Sequence, residues 1–157
     1  MADNVTPATC ARAEEPTTTA SPHQIYERYV WATAMTHNAE ALAEMFTTDG
    51  VIEAPLAPSG EAFPRRLRGR DEIRKGLAAY YERSTTAKRS VDVDQTRYVL
   101  HRTSDPDVFI LEIDAVEIDA AFDGPSDPAT MSLVQIFRAR DGKISLIRDY
   151  FAPDQAG

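Results

Sequence analysis

The first twenty residues carry no apolar period; from Ser21 onward apolar positions recur, first at helical spacing and later at strand spacing. Residues 1–20 are rich in Thr, Ala, Pro and Glu, which predicts a disordered tail, with one domain over 21–157. Ser21-Pro22-His23-Gln24 has the form of a capping box with proline in the first helical turn. Ile25, Tyr29 and Ala32 then share a helical face. Thr36-His37-Asn38 ends that helix, and Asn38 is placed to cap a second, short one carrying Leu42, Met45 and Phe46. Asp49-Gly50 reads as a turn, Val51 to Leu56 as a short strand, and Pro64 to Arg70 as a loop. Asp71 is expected to cap a third helix with Ile73, Leu77, Tyr80 and Ser84 on one side.

The second half reads as β-structure. Val91 to His101 alternates and then turns apolar, and Asp105-Pro106-Asp107 is a turn. Val108 to Ala120 is a long strand, apolar on both faces in its first half. Asp123-Gly124-Pro125 and Asp127-Pro128 mark a connection to a strand over Thr130 to Arg140. Asp141-Gly142 is a two-residue hairpin signal, followed by a last strand from Lys143 to Phe151. Helices gathered early and strands late predict an α+β domain with its helices on one face of an antiparallel sheet.

Charge and composition narrow the partners. The net charge of -8 and pI near 4.8 exclude a nucleic-acid backbone or an anionic membrane, because both repel an acidic surface. The single cysteine, Cys10, allows no intramolecular disulfide. His23, His37 and His101 show no ligand spacing, so no metal is expected. No basic-then-apolar leader or membrane-length apolar run is visible, which makes the cytoplasm the expected location.

Three stretches carry a family resemblance. Glu27-Arg28-Tyr29-Val30 through Met45-Phe46-Thr47-Thr48-Asp49-Gly50 is the first, and Leu67-Arg68-Gly69-Arg70-Asp71-Glu72-Ile73 the second. The third is Asp141-Gly142-Lys143-Ile144 followed by Arg148-Asp149-Tyr150-Phe151. Together they resemble the SnoaL-like branch of the nuclear-transport-factor-2-like superfamily, from about Ser21 to Pro153. Relatives there include ketosteroid isomerases, limonene-epoxide hydrolases, polyketide cyclases and the phenazine-biosynthesis A and B proteins. The resemblance implies a cone-shaped α+β barrel: three N-terminal helices packed on a curved, mainly antiparallel sheet that encloses a pocket. It also implies a homodimer.

Residue by residue, the resemblance places Asp149 inside the pocket, where the epoxide hydrolases have a catalytic aspartate. Asp114 matches their second aspartate, while Glu112 stands where they have an arginine. Their water-binding tyrosine and asparagine fall at Ile52 and Ala54. The tyrosine of the ketosteroid isomerases falls at Tyr29, their catalytic base at Ala54 and their protonated aspartate near Gln135.

Strand alternation sets Val108, Ile110, Glu112, Asp114 and Val116 on one face, and Lys143, Ser145, Ile147, Asp149 and Phe151 on another. The expected catalytic group is therefore Asp149, Asp114 and Glu112, three carboxyls whose mutual repulsion and burial leave a proton donor beside an acceptor. Tyr29, Gln135, Ile52, Ala54, Ile147 and Phe151 are expected to bind substrate. Each has a plainer alternative: a salt bridge for Asp149, a solvent face for Asp114, an arginine of the Arg65 to Arg70 loop for Glu112, core packing for Tyr29. The reading that follows is a cofactor-independent acid–base enzyme acting on a small apolar polyketide- or terpenoid-type molecule. Epoxide hydrolysis or epoxide-opening cyclisation comes first and isomerisation second. The alternatives are a non-catalytic ligand-binding module and a dimeric interaction domain, the dimer resting on an outer apolar face of Leu111, Ile113, Val134 and Ile136.

Overall fold

A computed structural model describes residues 19–58, 63–86, 89–119 and 129–151. The expected tail, apart from its last two residues, and the connection after the long strand lie outside them. Three helices, α1 (Pro22–Val30), α2 (Ala39–Glu44) and α3 (Arg70–Thr86), pack on a six-stranded sheet. Its strands are β1 (Phe46–Glu53), β2 (Arg66–Arg68), β3 (Arg89–Arg102), β4 (Val108–Asp119), β5 (Ala129–Arg140) and β6 (Lys143–Tyr150). In space they run β2-β1-β6-β5-β4-β3, so the sheet does not close. Only the β1–β6 pair is parallel. No helix among the described residues is long and apolar enough to cross a membrane.

The helix starts follow from local chemistry. The Gln24 backbone N–H donates to Ser21 Oγ at 3.2 Å and the Ser21 N–H to Gln24 Oε1 at 2.9 Å, which is the reciprocal capping box. Ile25 and Tyr26 are buried, so the inward face lies one residue from Tyr29, which is half-buried. The helix ends in a turn of π-helix (Trp31–Met35), closed by the Thr36 N–H and hydroxyl, both donating to the Trp31 carbonyl. His37, at φ 48, then turns the chain, and Asn38 caps α2 by accepting from the Ala41 N–H. Asp71 lies inside the first turn of α3 rather than before it, paired with Arg74 Nη1 at 2.7 Å. The core face of α3 reads Ile73, Leu77, Tyr81, with Tyr80 half-buried.

Two strand boundaries differ from the pattern. Asp49-Gly50 is not a turn but the middle of β1, where the pairing with β6 shifts register between Phe46 and Val51. Gly50 is there for space: a Cβ would meet Phe46 Cδ1 at 2.8 Å and Phe46 Cβ at 2.9 Å. Within the stretch read as a loop, Leu67 pairs with Ile52 and is buried, forming the short β2. The Asp141-Gly142 hairpin holds as expected, with φ 52 and 75 at its two turn residues.

Register shifts at Asp92/Arg97 in β3 and Arg138/Ala139 in β5 mark bulges of the kind that curve a sheet. Its inner face is the core: Phe109, Leu111, Phe137, Ile144 and Ile147 pack against Leu42 and Ile73, all fully buried. Each such side chain contributes about 1.5–3 kcal/mol.

Candidate functional site

The site begins with which way β4 faces. Cross-strand partners share a face, and Leu111 pairs with Gln135 while Gln135 pairs with Asp149. Leu111, Ile113 and Ala115 are buried, so Glu112 and Asp114, between them in sequence, point outward. This corrects the expected carboxyl cluster: Glu112 and Asp114 lie on the opposite face of the sheet from Asp149. Glu112 accepts from or pairs with His101 Nε2 at 3.0 Å, both exposed, and Asp114 Oδ1 accepts from the Ser132 hydroxyl at 2.6 Å. The physical reason is desolvation. Two ionised carboxylates stay in water while the Leu, Ile and Ala of the other face take the interior. The same correction moves Leu111 and Ile113 out of the expected dimer patch and into the core.

On β6 the bulge opposite Arg138 and Ala139 resets the alternation. Ile144 is buried where Lys143 and Ser145 were expected inward, and Lys143 is exposed. Beyond it Ile147 and Asp149 share the inner face with Ile52, which pairs with Ile147 across the parallel β1–β6 contact. The structure therefore sets Asp149 against Gln135 with Ile147 and Ile52 on the same inner face and Tyr29 near both polar groups, while Ala54 is buried just past the end of β1. Phe151 stands at its edge against Phe63, with ring centroids 5.3 Å apart.

Among the described residues Asp149 is the carboxyl whose pKa is raised by burial. Its Oδ2 accepts from Gln135 Nε2 at 3.0 Å, while Oδ1 is buried with no partner among the described residues. Burial pushes its pKa up from 3.8 to about 6, against the lowering effect of the Gln135 hydrogen bond. The Tyr29 phenol is raised well above its ordinary value, first by burial, then by the charges of Asp149, Tyr81 and Tyr26, with a Gln135 hydrogen bond opposing. Tyr29 therefore keeps its proton across the neutral range and is a hydrogen-bond donor beside the carboxyl.

Sequence reasoning missed part of the surrounding wall. Tyr26 is buried, its phenol likewise raised by burial, then by Tyr98 and Asp149. Its i, i+3 spacing from Tyr29 was the available signal. Phe137 packs edge-on against Tyr29 at 5.2 Å and stacks on Phe109 at 4.9 Å. On the α3 side Tyr80 meets Phe63 edge-on, and Tyr81 stacks on the His37 ring at 4.9 Å. The result is a proton-transfer group and a phenol donor set among aromatic rings, fit for acid–base work on an apolar molecule. Among the described residues no three His, Cys, Asp or Glu are grouped to hold a metal ion.

A surface groove of about 190 Å³ lies at the far end of β6, between Ile25, Glu44, Met45 and Lys143. It has no buried acid, and its lysine already donates to the Glu44 carbonyl at 2.7 Å.

The chain is similar to several known proteins. A curated relative, an uncharacterized PhzA/B-like protein of Pseudomonas aeruginosa, is 29% identical over 116 residues, 74% of either chain. A protein of ketosteroid isomerase-like fold from Catenulispora acidiphila, solved with trimethylamine, superposes with TM-score 0.60 at 20% identity over 87% of this chain and 90% of that one. SalBIII, an epoxide hydrolase/cyclase-like enzyme of pyran ring formation in the polyether salinomycin, superposes with TM-score 0.55 at 19% identity, covering 85% and 92%. These two show the shared fold. The profile of the SnoaL-like domain matches residues 26–147, from Tyr26 on α1 to Ile147 on β6, and the chain belongs to the SnoaL-like domain family.

Proposed function

We propose that the chain is a cofactor-independent acid–base enzyme of small, largely apolar organic molecules, in which Asp149 alone moves the proton. The observation that carries this is the buried Asp149 carboxyl, held at one oxygen by Gln135 and bare at the other, beside a protonated tyrosine. The family and its fold relatives include isomerases, cyclases and epoxide hydrolases. Among these chemistries the geometry favours those that need one carboxyl. A two-acid epoxide mechanism loses its second acid once Glu112 and Asp114 face solvent.

The supported reaction starts at a carbon next to a carbonyl. Asp149 Oδ1 takes the C–H proton, and the electron pair moves onto the carbonyl oxygen. The Tyr29 phenol donates a hydrogen bond to that developing oxyanion. Protonated Asp149 then returns the proton to the same molecule. Where a C=C bond lies beyond the α-carbon the anion is a dienolate, and delivery of the proton to its far carbon shifts the double bond and completes an isomerisation. If the enolate carbon first closes onto a second carbonyl of the molecule, Asp149 protonates the new alkoxide and the product is a ring.

Deuterium uptake at the α-carbon of acetophenone in D2O, followed by proton NMR, tests the first step. The wild-type chain is expected to accelerate it, with a rate that rises with pH to a plateau above about 6, since the base must be ionised. Asp149→Asn is expected to lower the rate by roughly 10²-fold or more. No acceleration, with the Asp149 carboxyl carbon titrating near 3.8, would remove the enzyme reading and leave a ligand-binding module.

A further inference from the structure

Gln135 poses a question that proton transfer by Asp149 does not answer. It is 6% exposed, among the few polar side chains in an otherwise apolar core. Its orientation is fixed: Nε2 donates to Asp149 Oδ2 at 3.0 Å, and turning the amide over would set carbonyl oxygen against carboxylate oxygen. That leaves Gln135 Oε1 buried and without a partner among the described residues. Its inner-face neighbours in the sheet are Leu111 and Asp149 across the strands and Leu133 and Phe137 along its own. None of these offers a donor while Asp149 is ionised. The Tyr29 phenol lies close enough to bear on the Gln135 amide, yet Gln135 Oε1 has no hydrogen-bond partner among the described residues.

Two unmet acceptors thus sit side by side, Gln135 Oε1 and Asp149 Oδ1, separated by one amide, one carboxyl and the hydrogen bond between them. A buried acceptor left bare is costly, so such a pair marks where a ligand supplies donors. A plain ketone supplies none. Its carbonyl is served by Tyr29, and its C–H bond meets only the Asp149 oxygen.

We infer that the substrate carries a hydrogen-bond donor, a hydroxyl being the simplest, on or next to the reacting carbon, and that Gln135 Oε1 accepts from it while Asp149 Oδ1 faces the C–H bond. The inference rests on the acid–base reading above and adds the substrate class: apolar hydroxyketones rather than bare ketones. Gln135 is then the residue that selects the substrate and, through Nε2, positions the base. A site built to bond a hydroxyl rejects the analogue that lacks it more strongly than an apolar pocket rejects a missing methylene.

The test compares acetophenone with 2-hydroxyacetophenone by calorimetry at pH 7.5. The hydroxyketone is expected to bind at least about tenfold more tightly. Gln135→Met keeps the length of the side chain and is expected to abolish the preference by weakening the hydroxyketone alone. Because Met leaves Asp149 without its amide, a second measurement uses the wild-type chain. The Gln135 side-chain amide signals in a ¹⁵N spectrum are expected to shift with 2-hydroxyacetophenone and not with acetophenone. Affinities within twofold of each other, binding of neither ketone, or a preference that survives Gln135→Met each overturn the inference. Deuterium exchange separates this from the reaction: exchange without hydroxyl preference sinks the Gln135 role alone. Preference without exchange upholds the Gln135 contact to the hydroxyl and overturns the placing of Asp149 Oδ1 at a reacting C–H bond.

Discussion

Asp149 and Asp114 are the same residue with opposite fates, and the sheet decides between them. Asp149 sits on the inner face next to Gln135; Asp114 sits on the outer face against Ser132. The sequence misled on β4 because Val108 to Leu111 is apolar at every position, so alternation alone does not choose a face there. The second half does choose: Ile113 and Ala115 opposite Glu112 and Asp114 is an apolar set against an acidic one, and desolvation settles it. The inward placement of Asp149, Gln135, Ile52 and Ala54 came from the family resemblance and that of Ile147 from alternation with Asp149 along β6; Gln135, Ile52, Ala54 and Ile147 are buried. Tyr29 carries a prediction at this scale. Tyr29→Phe keeps the ring against Phe137 and removes the donor to the oxyanion. The rate of α-deuterium exchange is expected to fall by roughly 10²-fold with ketone affinity changed far less. A variant with unchanged rate would show that the phenol only packs.

Elements whose signals are local were read well, and those made by tertiary approach were not. The capping box at Ser21 is written in four consecutive residues, and it forms. Ser21→Ala is expected to cost about 1 kcal/mol in a urea titration. No change in midpoint would mean that packing of Ile25 and Tyr26 alone fixes the helix start. Gly50 is the contrary case. Asp-Gly is a turn signal in sequence, and at Asp141-Gly142 the signal holds because a hairpin follows. At Asp49-Gly50 no positive φ is used, and the glycine serves the close approach of Phe46 across a register shift. Phe46 is fully buried, and its Cβ has no rotamer by which to yield. Gly50→Ala is therefore expected to destabilise by about 1–3 kcal/mol, through overpacking rather than through the backbone. A neutral outcome by the same titration would show β1 free to move off β6. The three-residue β2 was invisible for a related reason: Leu67 becomes a strand residue only because β1 lies beside it.

For the whole molecule, the two faces of the sheet divide the work. The outer face mixes Val99, Val134 and Ile136 with Arg97, His101, Glu112 and Asp114. Leu111 and Ile113 are spent in the core, so the case for a dimer through this face loses two of its four side chains and dimerisation stands as a proposal for light scattering. The inner face sets the pH dependence of stability. Asp149 titrates at about 6 when folded and near 3.8 when the chain is unfolded. Below 3.8 both states hold the proton and the fold carries no penalty. Between 3.8 and about 6 the folded state binds more protons than the unfolded one, so stability falls as pH rises. Above 6 the loss is complete and amounts to about 3 kcal/mol. Asp49, lowered by the polar groups around it, among them Arg140 donating to its Oδ1, acts with the opposite sign, but below 3.8 and outside this window. Asp149→Asn removes the charge and keeps the shape. At pH 7.5 the variant is expected to melt on the order of 5–10 °C above the wild-type chain. Near pH 3.5 the two should converge. Melting curves that run parallel from pH 4 to 7.5, or a variant less stable at pH 7.5, would show that Asp149 is a paired structural carboxylate, and the base of the proposed reaction would have to be sought elsewhere.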